Sequence, residues 1–201
     1  MNQPGDIYKT IAAPCSGVFK DKGSKFLAYA FPVDTVGDVK QQVQHLKREY
    51  FDARRHCYAY RIGVRGEQWR ANDDGEPSST AGKPILGQLL SQELTNVLIV
   101  VVRYFGGIQL GVPGLINAYR SAASDALAHA QIVEKTAKEQ LTFCFSYEAM
   151  NDVMKWLKEE KAEILSQQFN AECVITVAVP KSQADDLRDK ICHFKNLSCL
   201  P

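Results

Sequence analysis

Apolar and polar positions along the chain follow two spacings, and the switches between them mark its elements. Ser24–Val33 reads as a strand. Thr35-Val36-Gly37-Asp38 then has capping-box spacing, a hydroxyl followed three residues later by a carboxylate. The helix it opens carries Val36, Val39, Val43, Leu46 and Tyr50 on one face. A strand follows from about Arg55 to Val64. Side-chain alternation gives it two faces, His56/Tyr58/Tyr60/Ile62/Val64 and Cys57/Ala59/Arg61/Gly63. Gly66 suits a turn, and Gln68–Ala71 a short pairing segment. Asn72–Gly82 is polar and turn-rich, and a helix bearing Ile85, Leu86, Leu89 and Leu90 follows Pro84. Asn96–Tyr104 is almost wholly apolar and β-branched, which predicts a central strand buried on both faces. Gly106–Gly114 reads as a glycine-rich turn. Leu115–Ala130 reads as an Ala-rich helix with Leu115, Ile116, Tyr119, Ala123, Ala126 and Leu127 inward.

A charged stretch, Val133–Glu139, separates this region from one of different pattern. Beyond it the spacing predicts strand Gln140–Tyr147, helix Glu148–Lys161, strands Ala162–Phe169 and Glu172–Val179, helix Ser182–Phe194 and strand Leu197–Leu200. The last helix sets Ala184, Leu187, Ile191 and Phe194 on one stripe. This βαββαβ order is the ferredoxin-like plan. The expected architecture is α+β in two domains, 1–135 and 136–201.

Composition narrows the class. With 201 residues, 45% hydrophobic and 23% charged, the chain matches a globular protein large enough for a real core. Its 24 basic and 23 acidic residues exclude a uniformly basic nucleic-acid coat. No stretch approaches the roughly 18 apolar residues of a membrane span, and the N-terminus lacks a signal-peptide pattern. The six cysteines have no close pair, against both zinc-site spacing and a disulfide framework. Reduced thiols and a cytoplasmic location are the expectation.

Two loops crowd polar and glycine residues against structured segments. Asp73, Asp74, Glu76, Ser78, Ser79, Thr80 and Lys83 fall within eleven residues. They could ligate a cation or hold a phosphate, or form a self-hydrogen-bonded surface loop. Gly82-Lys83 is no Walker A motif, because Pro77 and Pro84 break the pattern twice. In the second loop, Arg103 through Gly106 and Gly107 to Gly114 leads into a helix whose N-terminus favours anions. Arg103 and Arg120 could add charge-assisted bonds to phosphate; the alternative is a tight turn after a buried strand. His56 and Cys57 point to opposite faces and form no local dyad. Ser78 and Ser79 lack a nucleophile elbow. No catalytic constellation, metal site or cofactor is indicated.

Charge is uneven. Lys40–Arg70 holds Lys40, Lys47, Arg48, Arg54, Arg55, Arg61, Arg65 and Arg70 against Glu49, Asp52 and Glu67. Tyr50, Phe51, Tyr58, Tyr60 and Trp69 interleave with them, the mixture that RNA binding uses for phosphate contact and base stacking. Solvated helix arginines beside core aromatics give the same pattern. The first 135 residues are net positive and the remainder net negative, which confines any nucleic-acid surface to the first domain.

The pattern Gly82-x₂-Ile85-Leu86-x₂-Leu89-x₄-Leu94-x₅-Val100-Val101-x-Arg103-Tyr104-Phe105-Gly106-Gly107-x₂-Leu110-Gly111 resembles the signature of the YigZ/IMPACT family. Ala71-Asn72-Asp73-Asp74-Gly75-Glu76-Pro77, Pro113-Gly114-Leu115 and His56-Cys57-Tyr58-Ala59-Tyr60-Arg61 extend it, over roughly residues 15–130. The resemblance implies a first domain with the two-layer α/β fold of a ribosomal-protein S5 domain, elongation factor G domain IV and GHMP kinases. It implies a ferredoxin-like second domain similar to C-terminal domains of elongation factor G. Eukaryotic IMPACT relatives regulate translation through the stress kinase that phosphorylates the initiation factor. The RWD domain that they use for it is not found ahead of the match.

The family carries no established catalytic residues. Together these readings lead to an expected translation-associated protein that contacts RNA or the ribosome, with a translation-related protein partner as a further possibility. Arg54, Arg55, Arg61, Arg103 and Arg120 are its expected phosphate contacts. The rival is an enzyme acting on a phosphorylated or nucleotide ligand. There Asp73, Asp74 and Glu76 would hold a metal, and Arg103 and the Gly106–Gly114 turn would grip the phosphate.

Overall fold

A computed structural model describes residues 6–160, 162–169, 173–193 and 197–200, with side chains described up to residue 190. The chain is α+β and divides into two compact units. One is Tyr8–Lys135; the other joins Asp6 and Ile7 to the chain from Thr136 onward.

The first unit opens with β1 (Ile7–Ile11), β2 (Cys15–Asp21) and β3 (Ser24–Pro32). Helix α1 (Val36–Glu49) follows, then β4 (Arg55–Ile62), β5 (Gln68–Asn72), α2 (Gly82–Ser91), β6 (Val97–Tyr104), α3 (Gly111–Ala128) and β7 (Ile132–Thr136). A five-stranded antiparallel sheet runs in the order β2-β3-β6-β4-β5, while β1 and β7 pair separately.

β6 is central and buried on both faces, as its unbroken apolar run requires. Val97, Ile99 and Val101 join the core under α2 and α3, while Leu98 and Val100 join the core under α1. The capping box of α1 is complete: the Asp38 N–H donates to Thr35 Oγ1 at 3.1 Å and the Thr35 N–H to Asp38 Oδ2 at 2.8 Å. Those backbone bonds hold the Asp38 carboxyl below its usual pKa. Burial of Val39, Val43 and Leu46 stabilises α1 by about 1.5–3 kcal/mol per side chain. β4 divides as its alternation predicts, with Tyr60 and Ile62 on the α1 side and Cys57 and Ala59 on the α2/α3 side.

The second unit comprises β8 (Lys138–Phe145), a 3₁₀ turn at Tyr147–Ala149, α4 (Met150–Glu159), β9 (Glu163–Phe169), β10 (Cys173–Pro180), α5 (Lys181–His193) and β11 (Leu197–Leu200). Its antiparallel sheet has the order β11-β8-β10-β9. Phe143, Trp156, Ile175, Ala184 and Leu187 fill the core. Asp6 belongs here because its carboxylate accepts the Ser182 N–H at 3.0 Å, satisfying the start of α5. Its carbonyl accepts the Ala137 N–H at 2.8 Å. Lys161, Glu172 and Phe194, where sequence spacing placed element ends, lie outside the described residues, as does the side chain of Ile191.

Among the described residues Cys15, Cys57 and Cys173 are free thiols; the side chains of Cys192 and Cys199 lie outside that set. No helix among the described residues is long and apolar enough to cross a membrane.

Candidate functional site

Two neighbouring strand ends supply the cations of the site. Arg55 on β4 lies directly opposite Arg103 on β6, so both side chains leave the same face of the sheet. The Arg54 N–H donates to the Arg103 carbonyl at 2.9 Å and fixes the two ends together. Across β3, Phe26 is the other neighbour of Arg103. The Arg103 guanidinium lies 5.4 Å from the Phe26 ring centre and 5.6 Å from that of Phe105, a cation–π arrangement.

Arg103 Nη1 donates to Glu76 Oε1 at 2.5 Å, with the two side chains only 8% and 7% exposed. The Tyr119 hydroxyl donates to the same oxygen at 2.9 Å. Behind it the Cys57 thiol lies 3.3 Å from that hydroxyl and 3.0 Å from the Asp73 carbonyl. Burial pushes Cys57 up to about 12 and raises Tyr119 as well, so both stay protonated at neutral pH. The thiol is therefore inert packing and no nucleophile.

The 73–83 loop is held by its own carboxylates. Asp73 Oδ1 accepts the N–H groups of Ala81 at 3.0 Å and Gly82 at 2.8 Å, and Oδ2 accepts that of Ser79 at 2.9 Å. Helix α2 has no side-chain cap at Ala81, so Asp73 does that work from eight residues upstream. Asp74 accepts the His56 N–H at 2.8 Å and pairs with Lys47 at 3.1 Å. Arg55 Nη2 donates to the Gly75 carbonyl at 3.0 Å. The three carboxylates of this loop are thus spent in different directions, and no metal-ligating cluster occurs among the described residues. The cation-binding alternative for Asp73, Asp74 and Glu76 has no geometry behind it.

Between the two loops lies a cleft of about 640 Å³. Arg54, Arg55, Glu76 and Arg103 form its charged side; Phe105, Leu110 and Leu115 form much of its apolar side. Gly111 and Val112, the first residues of α3, line it too, and no side chain caps that helix. The cleft therefore combines an arginine excess, a bare helix N-terminus and an aromatic ring, which suits an anion attached to a flat apolar group.

Gly106 lets the second loop press on the β2–β3 hairpin, where an added Cβ would stand 1.9 Å from the Gly23 carbonyl carbon. Gly107, at φ +89°, supplies the left-handed turn that follows. The hairpin tip thereby sets exposed Lys22 beside this loop, while Lys20 and Lys25, in register with each other and with Tyr104, leave the opposite face of the sheet from Arg103.

Other sequence-derived candidates stand elsewhere. Arg61 donates to the carbonyls of Leu94 at 2.8 Å and Arg65 at 3.0 Å, at the far end of β4. Arg120 is exposed on α3, and Ser78 and Lys83 are exposed without lining the cleft. Ser79, at φ +65°, shapes the loop through its backbone. His56 is buried on the α1 face, away from the cleft, and its Nε2 has no hydrogen-bond partner among the described residues. Burial depresses its pKa, partly opposed by Asp74. The basic block Lys40–Arg70 is not one surface: Tyr60 is core, Lys47 is paired, and Trp69 is exposed on the edge strand β5. Sequence reasoning missed Phe105 and the hairpin-tip Lys22. An aromatic directly after a buried strand, half exposed here, was the signal for the first.

The family model for the Impact N-terminal domain matches residues 22–127. The chain belongs to the IMPACT family. Every residue lining the cleft falls within that match. IMPACT family member YigZ of Escherichia coli K12 is 33% identical over 185 residues, covering 91% of each chain. IMPACT family member YvyE of Bacillus subtilis 168 is 36% identical over 146 residues, covering 73% of this chain and 64% of that one. A crystal structure described as that of a hypothetical protein superposes with a TM-score of 0.73 at 32% identity over 97% of both chains. That likeness extends the shared fold through the C-terminal unit.

Proposed function

We propose that this IMPACT family member is a cytoplasmic, translation-associated protein that binds structured RNA or the ribosome through its N-terminal unit. The carrying observation is the meeting of the 73–83 and 103–114 loops in one cleft whose arginines outnumber its single carboxylate. Phe105 gives a base a ring to stack on, and Lys22 at the nearby hairpin tip adds a positive charge for a phosphate backbone. The implied likeness to elongation-factor domains favours the same class of partner.

The test is binding of ribosomal or transfer RNA, and co-sedimentation with ribosomes, across a salt series. Binding should weaken steeply with salt as phosphates shed counterions. The double variant Arg54→Ala/Arg55→Ala should weaken it and flatten the log–log slope by about 2, roughly one per lost phosphate contact. No RNA or ribosome association at low salt overturns the proposal.

A further inference from the structure

A guanidinium offers five N–H donors in a rigid fork. In Arg103 the ion pair with Glu76 takes Nη1, while the buried Nε–H has no hydrogen-bond partner among the described residues. A buried donor left unmatched is destabilising, and an acceptor drawn against the guanidinium edge would offset that. Arg54 brings a further charge from the neighbouring strand end, exposed and with no carboxylate partner among the described residues. Arg55 is steered into the cleft by its bond to the Gly75 carbonyl. The uncapped first turn of the long helix α3 closes the same space.

Three guanidinium groups and a helix N-terminus around one carboxylate are more positive charge than a single phosphodiester neutralises. A terminal phosphate monoester, at about −1.5 to −2, matches it better. The rest of the cleft has room for one nucleoside, because about 640 Å³ lies in the range of small-ligand sites rather than of a continuous strand track.

We infer that the cleft holds the terminal phosphate monoester of a nucleotide, either a free nucleoside monophosphate or a phosphorylated RNA end, with the base against Phe105. The RNA-end form rests on the RNA reading above. The phosphate sits between Arg54, Arg55, the Arg103 edge and the α3 N-terminus. Glu76 and Tyr119 keep Arg103 in place beneath it.

The full-length protein is titrated with single-stranded oligoribonucleotides of one sequence ending in a 5′-phosphate, a 3′-phosphate or hydroxyls only. Adenosine monophosphate and adenosine are titrated in parallel. The expected result is a preference of about tenfold or more for a phosphorylated end, the scale of one charge-assisted contact. Arg54→Ala should abolish that preference without lowering Tm, since the side chain is exposed. Equal binding of all three oligonucleotides overturns this inference and leaves the RNA reading standing. Binding of the monophosphate but not of adenosine, with no RNA bound, supports the phosphomonoester site and overturns the RNA reading. A preference that survives both Arg54→Ala and Arg55→Ala overturns the placement, and silence across the panel overturns both readings.

Discussion

Arg55 and Arg61 leave the same face of β4, six residues and so about 20 Å apart, yet they serve different ends of the molecule. At one end Arg61 donates to the carbonyls of Leu94 and Arg65 and fastens two turns. At the other, Arg55 makes a single bond, to the Gly75 carbonyl, and stands beside Arg103, which pairs with Glu76 and whose Nε–H has no hydrogen-bond partner among the described residues. The distance means that no small ligand touches both ends. The difference in partners teaches more: at one end two neutral carbonyls hold a single cation within the fold, while at the other Arg54, Arg55 and Arg103 share one carboxylate and one carbonyl, leaving positive charge to offer outward.

Removing the carboxylate has the largest expected effect. Glu76→Gln keeps the shape but leaves Arg103 as a buried, uncompensated charge. The expected loss of stability is about 3–5 kcal/mol, read from urea unfolding at neutral pH. A loss below about 1 kcal/mol would mean that Arg103 relaxes into solvent, and the two ends of the sheet face would then be alike. Arg61→Ala should cost less, about 1–3 kcal/mol for carbonyls stripped of their donors. It should leave RNA affinity and its salt slope unchanged in whatever protein remains folded. A drop in the salt slope matching that of the Arg54/Arg55 variant would erase the distinction between the ends.

Some of this was legible along the chain. The two-faced burial of β6, the alternation in β4 and the capping box of α1 are local or periodic properties, and the sequence carries them directly. The short strands β1 and β7 have no such period, and in β2 burial alternates while the apolar residues do not, since Val18 and Phe19 are adjacent. β2 is a polar edge strand held by α3, crossing so closely at Gly17 that an added Cβ would lie 2.3 Å from the Ala126 nitrogen. Helix α3 begins a turn earlier than its apolar stripe, because Gly111-Val112-Pro113-Gly114 looks like a turn by composition. Pro113 is tolerated there since the first turn needs no donor.

The site was half legible for the same reason. Both loops stood out by residue content, but their meeting depends on the β4–β6 register that sets Arg55 opposite Arg103. It depends equally on Asp73 folding its loop back onto the start of α2. Neither is a property of spacing, so Arg61 and Arg120 looked as plausible as Arg54 and Arg55.

The smallest predicted effect extends the comparison through β4 to its other face. His56 is next to Arg55 but points away from the cleft, packed under α1 with Asp74 and Lys47 as its charged neighbours. Burial holds its pKa below the ordinary 6.5. The unfolded chain therefore takes up a proton over a pH window in which the native chain does not, so acidification favours unfolding there. The penalty is absent above about pH 6.5 and grows as pH falls through the window between the unfolded and folded values. His56→Phe removes the titration while keeping an apolar ring. The stability difference, wild type minus variant, should fall between pH 8 and pH 5 in urea unfolding. RNA affinity corrected for the fraction folded should not follow that difference, because the ring lies on the opposite face from the arginines. If affinity tracks it, the two faces of β4 are coupled and the cleft does not act alone.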